Sequence, residues 1–216
     1  MKFELSNLFD TPEPYRRPIN VKEAATAIET IETNSKELLM DAKLLMDNRR
    51  YARAVTLSLL AVEEKGKIEL IKALLLCNPG QVYNVWRDVN SHKKKNFIWM
   101  YPLLRYYRIH ETEKTGKVAD PKGTFSECLD NIKQLSLYVD ALKDSKGRCE
   151  WTLPSELISE ELAKFCYEIS EIVVMDDGIE WNERALDIFV SFAKHDGERI
   201  ILTDKSNYMK NCVMKA

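Results

Sequence analysis

Three groups of residues have types and spacings suited to chemistry. The first is Glu63, Glu64, Gly66 and Lys67, set inside the run YARAVTLSLLAVEEKGKIELIKALLL from Tyr51 to Leu76. Glu63 and Lys67 stand four apart, so they can pair on one helix face. Glu64 shares its face with Leu57, Ala61, Ile68 and Ile71, which places it on the apolar side. A carboxylate there is either bonded across a core, fixing helix register, or poised for function. Gly66 lets another backbone come close, which suits both readings.

The second group is His92 and Lys95 in NSHKKKN, three apart and therefore on one side of a helix start. Histidine titrates near neutral pH and can act as acid or base. Lys93, Lys94 and Lys95 can hold phosphate; the plainer reading is a solvated basic helix start. The third group is Arg105 and His110 in RYYRIH. An arginine that neutralises phosphate and a histidine that moves a proton suit RNA cleavage through the 2′-hydroxyl. Five residues at about 100° each leave the two about 140° apart, so they converge only where the helix ends or distorts. Tyr106, Tyr107 and Arg108 add an aromatic and basic surface on which bases can stack. A helix end that happens to carry His110 is the simpler account. No Gly-rich phosphate loop, zinc signature or Glu-x-x-His pair is present, and no metal or cofactor is expected.

The elements that must position these residues are helical. Only seven Gly occur in 216 residues, and the long segments have helical periodicity, so the fold is expected to be all-α. Residues 1–19, with Pro12, Pro14 and Pro18, read as an irregular arm. Asn20 with Glu23 forms a capping-box signature for a first helix to about Asn48. A turn at Asn48–Arg50 then folds the Tyr51–Leu76 helix back antiparallel. That second helix is apolar nearly all round, the pattern of a buried core helix, so its charges need partners. Asn78-Pro79-Gly80 ends it, and a short helix is expected around Val82, Val85 and Trp86. Pro102 breaks or kinks the helix that follows His92, and 111–123 reads as a loop. Thr124 with Glu127 opens a helix carrying Cys128, Leu129, Ile132, Leu135, Val139 and Leu142, followed by a charged loop at Lys143–Arg148. Pro154 and Ser155 start a helix with Leu157, Ile158, Leu162, Phe165, Ile169, Ile172 and Val173 inward. Asp177 with Glu180 caps a last clear helix through Trp181, Leu186, Phe189 and Phe192. The expected division is the arm at 1–19, a bundle core at 20–145 and C-terminal helices packed on it at 146–216.

The totals restrict the rest. With 32 basic and 34 acidic residues the formal charge is −2, which argues against a general nucleic-acid coat but leaves room for a local basic patch. The five Cys are scattered and odd in number, with no C-x-x-C, as expected for reduced cytosolic thiols. No secretory signal or membrane span is read, so a cytoplasmic protein without membrane contact is expected.

The series NSKELLMDAKLLMDNRRYARAVTLSLLAVEEKGK from Asn34, HKKK from His92, LSLYVDA from Leu135, then Trp151 and Pro154, resembles the AbiV family of abortive-infection proteins. The motifs that carry the likeness are E-E-x-G-K (Glu63, Glu64, Gly66, Lys67), H-x-x-K (His92, Lys95) and Tyr138-Val139-Asp140, over roughly residues 20–175. The resemblance implies a bacterial phage-defence protein with a helical bundle related to the HEPN superfamily. It implies a homodimer, and metal-independent RNase chemistry by Arg-x4–6-His pairs at the dimer interface. Arg105 and His110 match that spacing, with Tyr106 where the superfamily often has a polar residue. It also implies arrest of the infected cell, often by blocking translation, with a phage protein as trigger or regulator. Two expectations follow. In one, Glu64, Lys67, His92 and Lys95 form a polar cluster between two helices that acts on RNA, with Arg105 and His110 completing or replacing it. In the other, the cluster is structural and the protein works by binding a phage protein or the translation apparatus.

Overall fold

The computed structural model describes residues 13–91, 95, 124–143, 145–175 and 179–195. Helix α1 spans Val21–Asp47. It opens on a full capping box: the Asn20 carboxamide oxygen accepts the Glu23 N–H at 2.9 Å, and the Glu23 carboxylate accepts the Asn20 N–H at 2.8 Å. Ala24, Ile28, Ile31, Ser35, Leu39 and Ala42 form its buried stripe. A turn with Arg49 at φ 56° reverses the chain into α2, Tyr51–Leu76.

The two helices run antiparallel. The first half of α1 packs on the second half of α2 through Ile28, Ile31, Ile68, Ile71 and Leu74. The later part of α1 meets the first half of α2 through Leu39, Val55 and Leu59. Among the described residues the apolar core is thus two clusters: α2 contributes residues up to Val62 to one and from Ile68 to the other. The charged stretch Glu63–Lys67 lies between them.

A tight turn at Pro79–Gln81 leads to α3, Val82–Val89. The arm is tied to α3: the Trp86 indole N–H donates to the Arg17 carbonyl at 2.9 Å, and Tyr15 meets the Trp86 ring edge-on. Helix α4, Thr124–Leu137, packs on α2. It is followed by an antiparallel hairpin, β1 (Asp140–Lys143) and β2 (Cys149–Thr152), then a single turn, α5 (Pro154–Leu157). Helix α6, Glu160–Val174, packs on both α1 and α2, and α7, Glu183–His195, reaches both as well. No helix among the described residues is long and apolar enough to cross a membrane. Among the described residues the chain is all-α apart from this one small hairpin.

The hairpin departs from the expected helix and loop. Val139 and Leu142 continue the apolar spacing of α4, but the helix stops at Leu137, where the Arg53 guanidinium takes the Leu137 carbonyl at 2.9 Å. Gly147, at φ 76°, supplies the left-handed residue that the turn needs. The helix expected from Pro154 is divided as well. Ser159 accepts the Leu162 N–H at 3.1 Å and starts α6 afresh. Phe165 and Ile172, expected inward, are exposed, while Ala163, Cys166, Ile169, Ser170 and Val173 face the core. Asn182 caps α7 through the Ala185 N–H at 3.0 Å; the cap expected at Asp177 lies outside the described residues.

Candidate functional site

The middle of α2 turns its charges in different directions. Glu63, not Glu64, is the enclosed carboxylate, at 2% exposure. Its position shares a face with Leu59 and Gly66, both buried between neighbouring helices. Its partner is Lys133 of α4, with Nζ at 2.5 Å from Oε1 and only 5% of the residue exposed. Lys133 also reaches Asp130, one turn earlier on α4, at 3.0 Å. Lys67 pairs with Glu64 at 2.7 Å rather than with Glu63, and both remain partly exposed. Lys65 points the other way and holds Glu32 of α1 at 3.0 Å.

Lys95 joins this group from outside α2. Its backbone N–H bonds the Ser91 carbonyl at 3.3 Å, and the residue is 7% exposed. Burial holds its ammonium group below the usual lysine range; Glu63 and Glu64 act against that, while Lys67 and Lys133 push in the same direction as burial. These side chains therefore lie within electrostatic reach of one another. Three carboxylates (Glu63, Glu64, Asp130) face three ammonium groups (Lys67, Lys95, Lys133), contributed by α2 and α4 together with Lys95 itself.

Polar bonds brace the α2–α4 contact beside this cluster. The Ser136 hydroxyl donates to the Lys133 carbonyl at 2.8 Å. It also shares a hydrogen bond with Thr56 of α2, whose hydroxyl is 2.7 Å away and faces the Ala52 carbonyl at 3.3 Å. With Arg53 on the last carbonyl of α4, three residues of α2 (Arg53, Thr56 and Glu63) grip the C-terminal end of that helix, at Leu137, Ser136 and Lys133.

Of the residues singled out from the sequence, Glu63, Glu64, Lys67 and Lys95 come together, and Gly66 is buried beside them. Tyr138 and Asp140 are at the exposed base of the hairpin; the Asp140 carboxylate accepts the neighbouring Ala141 N–H at 2.7 Å. His92, Lys93, Lys94, Arg105, Arg108 and His110 lie outside the described residues. Lys133, Asp130, Thr56 and Ser136 were not singled out. A signal for Lys133 existed: it is a lone lysine four residues after Leu129 and three before Ser136, on the buried stripe of α4. A cavity of about 280 Å³ lies elsewhere, lined by Lys43, Tyr51, Glu160, Lys164 and Tyr167 among others, and holds none of the singled-out residues.

A family model described as AbiV, of HEPN type, matches residues 23–175. No curated protein and no solved structure matches the chain. The family match takes in every element from α1 to α6, including the paired carboxylates of α2, Lys95 and the lysine of α4 that meets them. The chain belongs to the AbiV family of HEPN-type, abortive-infection proteins.

Proposed function

We propose that the protein arrests an infected cell by acting on RNA, as a HEPN-type ribonuclease. The observation that carries this reading is Lys95, a buried ammonium beside Lys67 and Lys133, whose pKa burial depresses. A cation kept in such a place at the expense of its own hydration is suited to receiving an anion, and a phosphodiester is the anion an RNA offers. In this reading Lys67 and Lys95 hold the phosphate, and Glu64 keeps Lys67 oriented through its 2.7 Å ion pair. His92 takes the proton of a ribose 2′-hydroxyl as that oxygen attacks the adjacent phosphorus. The 5′-oxygen leaves and is protonated, giving a 2′,3′-cyclic phosphate and a 5′-hydroxyl end. Arg105 and His110 complete the site or form a second one with the other subunit of a homodimer, and Lys93, Lys94 and Arg108 track the backbone. A phage protein serves as trigger.

The test is incubation of purified protein with cellular RNA and tRNA, with and without lysate from infected cells as a source of trigger. Wild type is expected to shorten the RNA, while Lys95→Met and the His92→Ala/His110→Ala double variant leave it intact and remain folded. Equal RNA integrity for wild type and the double variant removes the nuclease reading.

One observation favours a second reading. Glu63 and Lys133 are both enclosed and bonded to each other, as a purely structural pair would be. In that case the cluster fixes helix register and the protein acts by binding a phage protein or the translation apparatus. Glu64→Gln and Lys95→Met would then damage folding or dimerisation together with defence; the nuclease reading expects normal folding and lost defence.

A further inference from the structure

We infer that the β1–β2 hairpin is an arm that binds single-stranded nucleic acid, with Trp151 as its stacking platform. The inference rests on the proposal that the protein acts on RNA, and adds a contact surface that neither the charged cluster nor the sequence motifs supply. The register pairs Ala141 with Trp151 and Lys143 with Cys149, so these four side chains share one face. Asp140, Leu142, Glu150 and Thr152 share the other. Leu142 and Thr152 are the two strand residues that are half-buried, so the acidic face is turned toward the bundle. The outward face carries Trp151, 71% exposed, beside Lys143 and no carboxylate. Lys146 and Arg148 stand exposed at the turn.

This sorting is what a nucleic-acid strand requires. A ring open to solvent stacks an unpaired base of any identity, and Lys143 on the same face meets a phosphate. The acids of the two strands, Asp140 and Glu150, are on the side away from that strand. The base of the arm is firmly mounted, because Arg53 of α2 holds the Leu137 carbonyl. Only about 6 Å of helix separates Leu137 from Lys133, so a strand lying on the arm approaches the charged cluster.

The experiment measures binding without cleavage, by fluorescence anisotropy of full-length protein with a fluorescein-labelled 2′-O-methyl oligouridylate. That probe lacks the attacking hydroxyl, so its binding is read whether or not the protein is a nuclease. Trp151→Ala is expected to weaken binding about tenfold, and Trp151→Phe to retain most of it. Lys143→Glu is expected to weaken it and to lower the salt dependence by about one counterion. Circular dichroism should give all three variants the wild-type unfolding midpoint, because the substituted side chains are exposed. The inference is overturned by Trp151→Ala and Lys143→Glu proteins that bind like wild type, or by wild type that does not bind. It is equally overturned if the variants lose only association with another protein chain, with oligouridylate affinity unchanged. Hairpin variants that bind normally beside a Lys95→Met protein that has lost cleavage would sink the arm and leave the proposed activity standing.

Discussion

Replacing Lys133 by Met should be among the most damaging single changes on α4. The substitution keeps the length of the side chain and removes the ammonium 2.5 Å from Glu63 and 3.0 Å from Asp130. Asp130 is partly exposed and falls back on water, but Glu63 is enclosed. Removing one member of a buried ion pair costs about 3–5 kcal/mol, most of it the burial of the charge left behind. Lys95 is close enough to offset part of this for Glu63, which places the expected loss at the lower end, about 3 kcal/mol. At about 2–4 °C per kcal/mol for a chain of this size, the unfolding midpoint should fall by about 6–12 °C. Glu63→Met leaves Lys133 with Asp130 and should cost less, about 2 kcal/mol. The double variant, with two apolar chains in place of two paired ions, should return to within about 1 kcal/mol of wild type. It should also leave the Lys95 ammonium further depressed, because Glu63 is the largest of the charges acting on it and Lys133 the smallest. Urea unfolding of the four proteins closes the cycle. A Lys133→Met protein within about 1 kcal/mol of wild type, or a double variant as unstable as the sum of the singles, would refute the claim that this pair is coupled and buried.

Three further outcomes are expected. Thr56→Val removes the hydroxyl that is hydrogen-bonded to Ser136 inside the α2–α4 contact and should cost about 1–2 kcal/mol in urea unfolding. Lys72 of α2 is buried with its ammonium 4.1 Å from the Trp181 ring centre, tying α7 to the bundle; a double-mutant cycle of Lys72→Met and Trp181→Leu should return a coupling of about 1 kcal/mol. Burial, assisted by nearby Cys128, pushes the Cys166 thiol from 9.0 up to about 12. A raised folded pKa means the stabilisation is complete below pH 9 and is lost as the pH climbs toward 12. Between about pH 8 and pH 10, wild type should lose about 1.4 kcal/mol more than Cys166→Val.

Much of the frame could be read before any coordinates. Asn20 and Glu23 announce α1 because a capping box is a local device whose partners are three residues apart. The short turn at Asn48–Arg50 leaves α2 no course except back along α1. The side of α2 that would be most enclosed was misjudged by one position. An amphipathic helix shows its inner face, but α2 is apolar nearly all round, so Glu63 and Glu64 were equally eligible and packing by α4 decided between them. Lys133 was missed for a related reason: a lysine on an apolar stripe looks like an interruption until its acceptor, seventy residues away, is known. The hairpin was hidden because Val139 and Leu142 continue the spacing of α4, whereas the event that ends the helix is a guanidinium from α2. Ser159 was overlooked because Pro154 offered an earlier start for the same apolar pattern.

The division of the apolar interior into two clusters has a mechanical consequence. Two unbroken rods, α1 and α2, run through both oily compartments, and in the ionised waist between them the grip of α2 on its neighbours is set by paired charges. Oil contacts are indifferent to an arriving anion; a waist of opposed charges is not. Neutralising one ammonium there would change the charge balance at mid-rod while leaving the apolar contacts of both compartments in place.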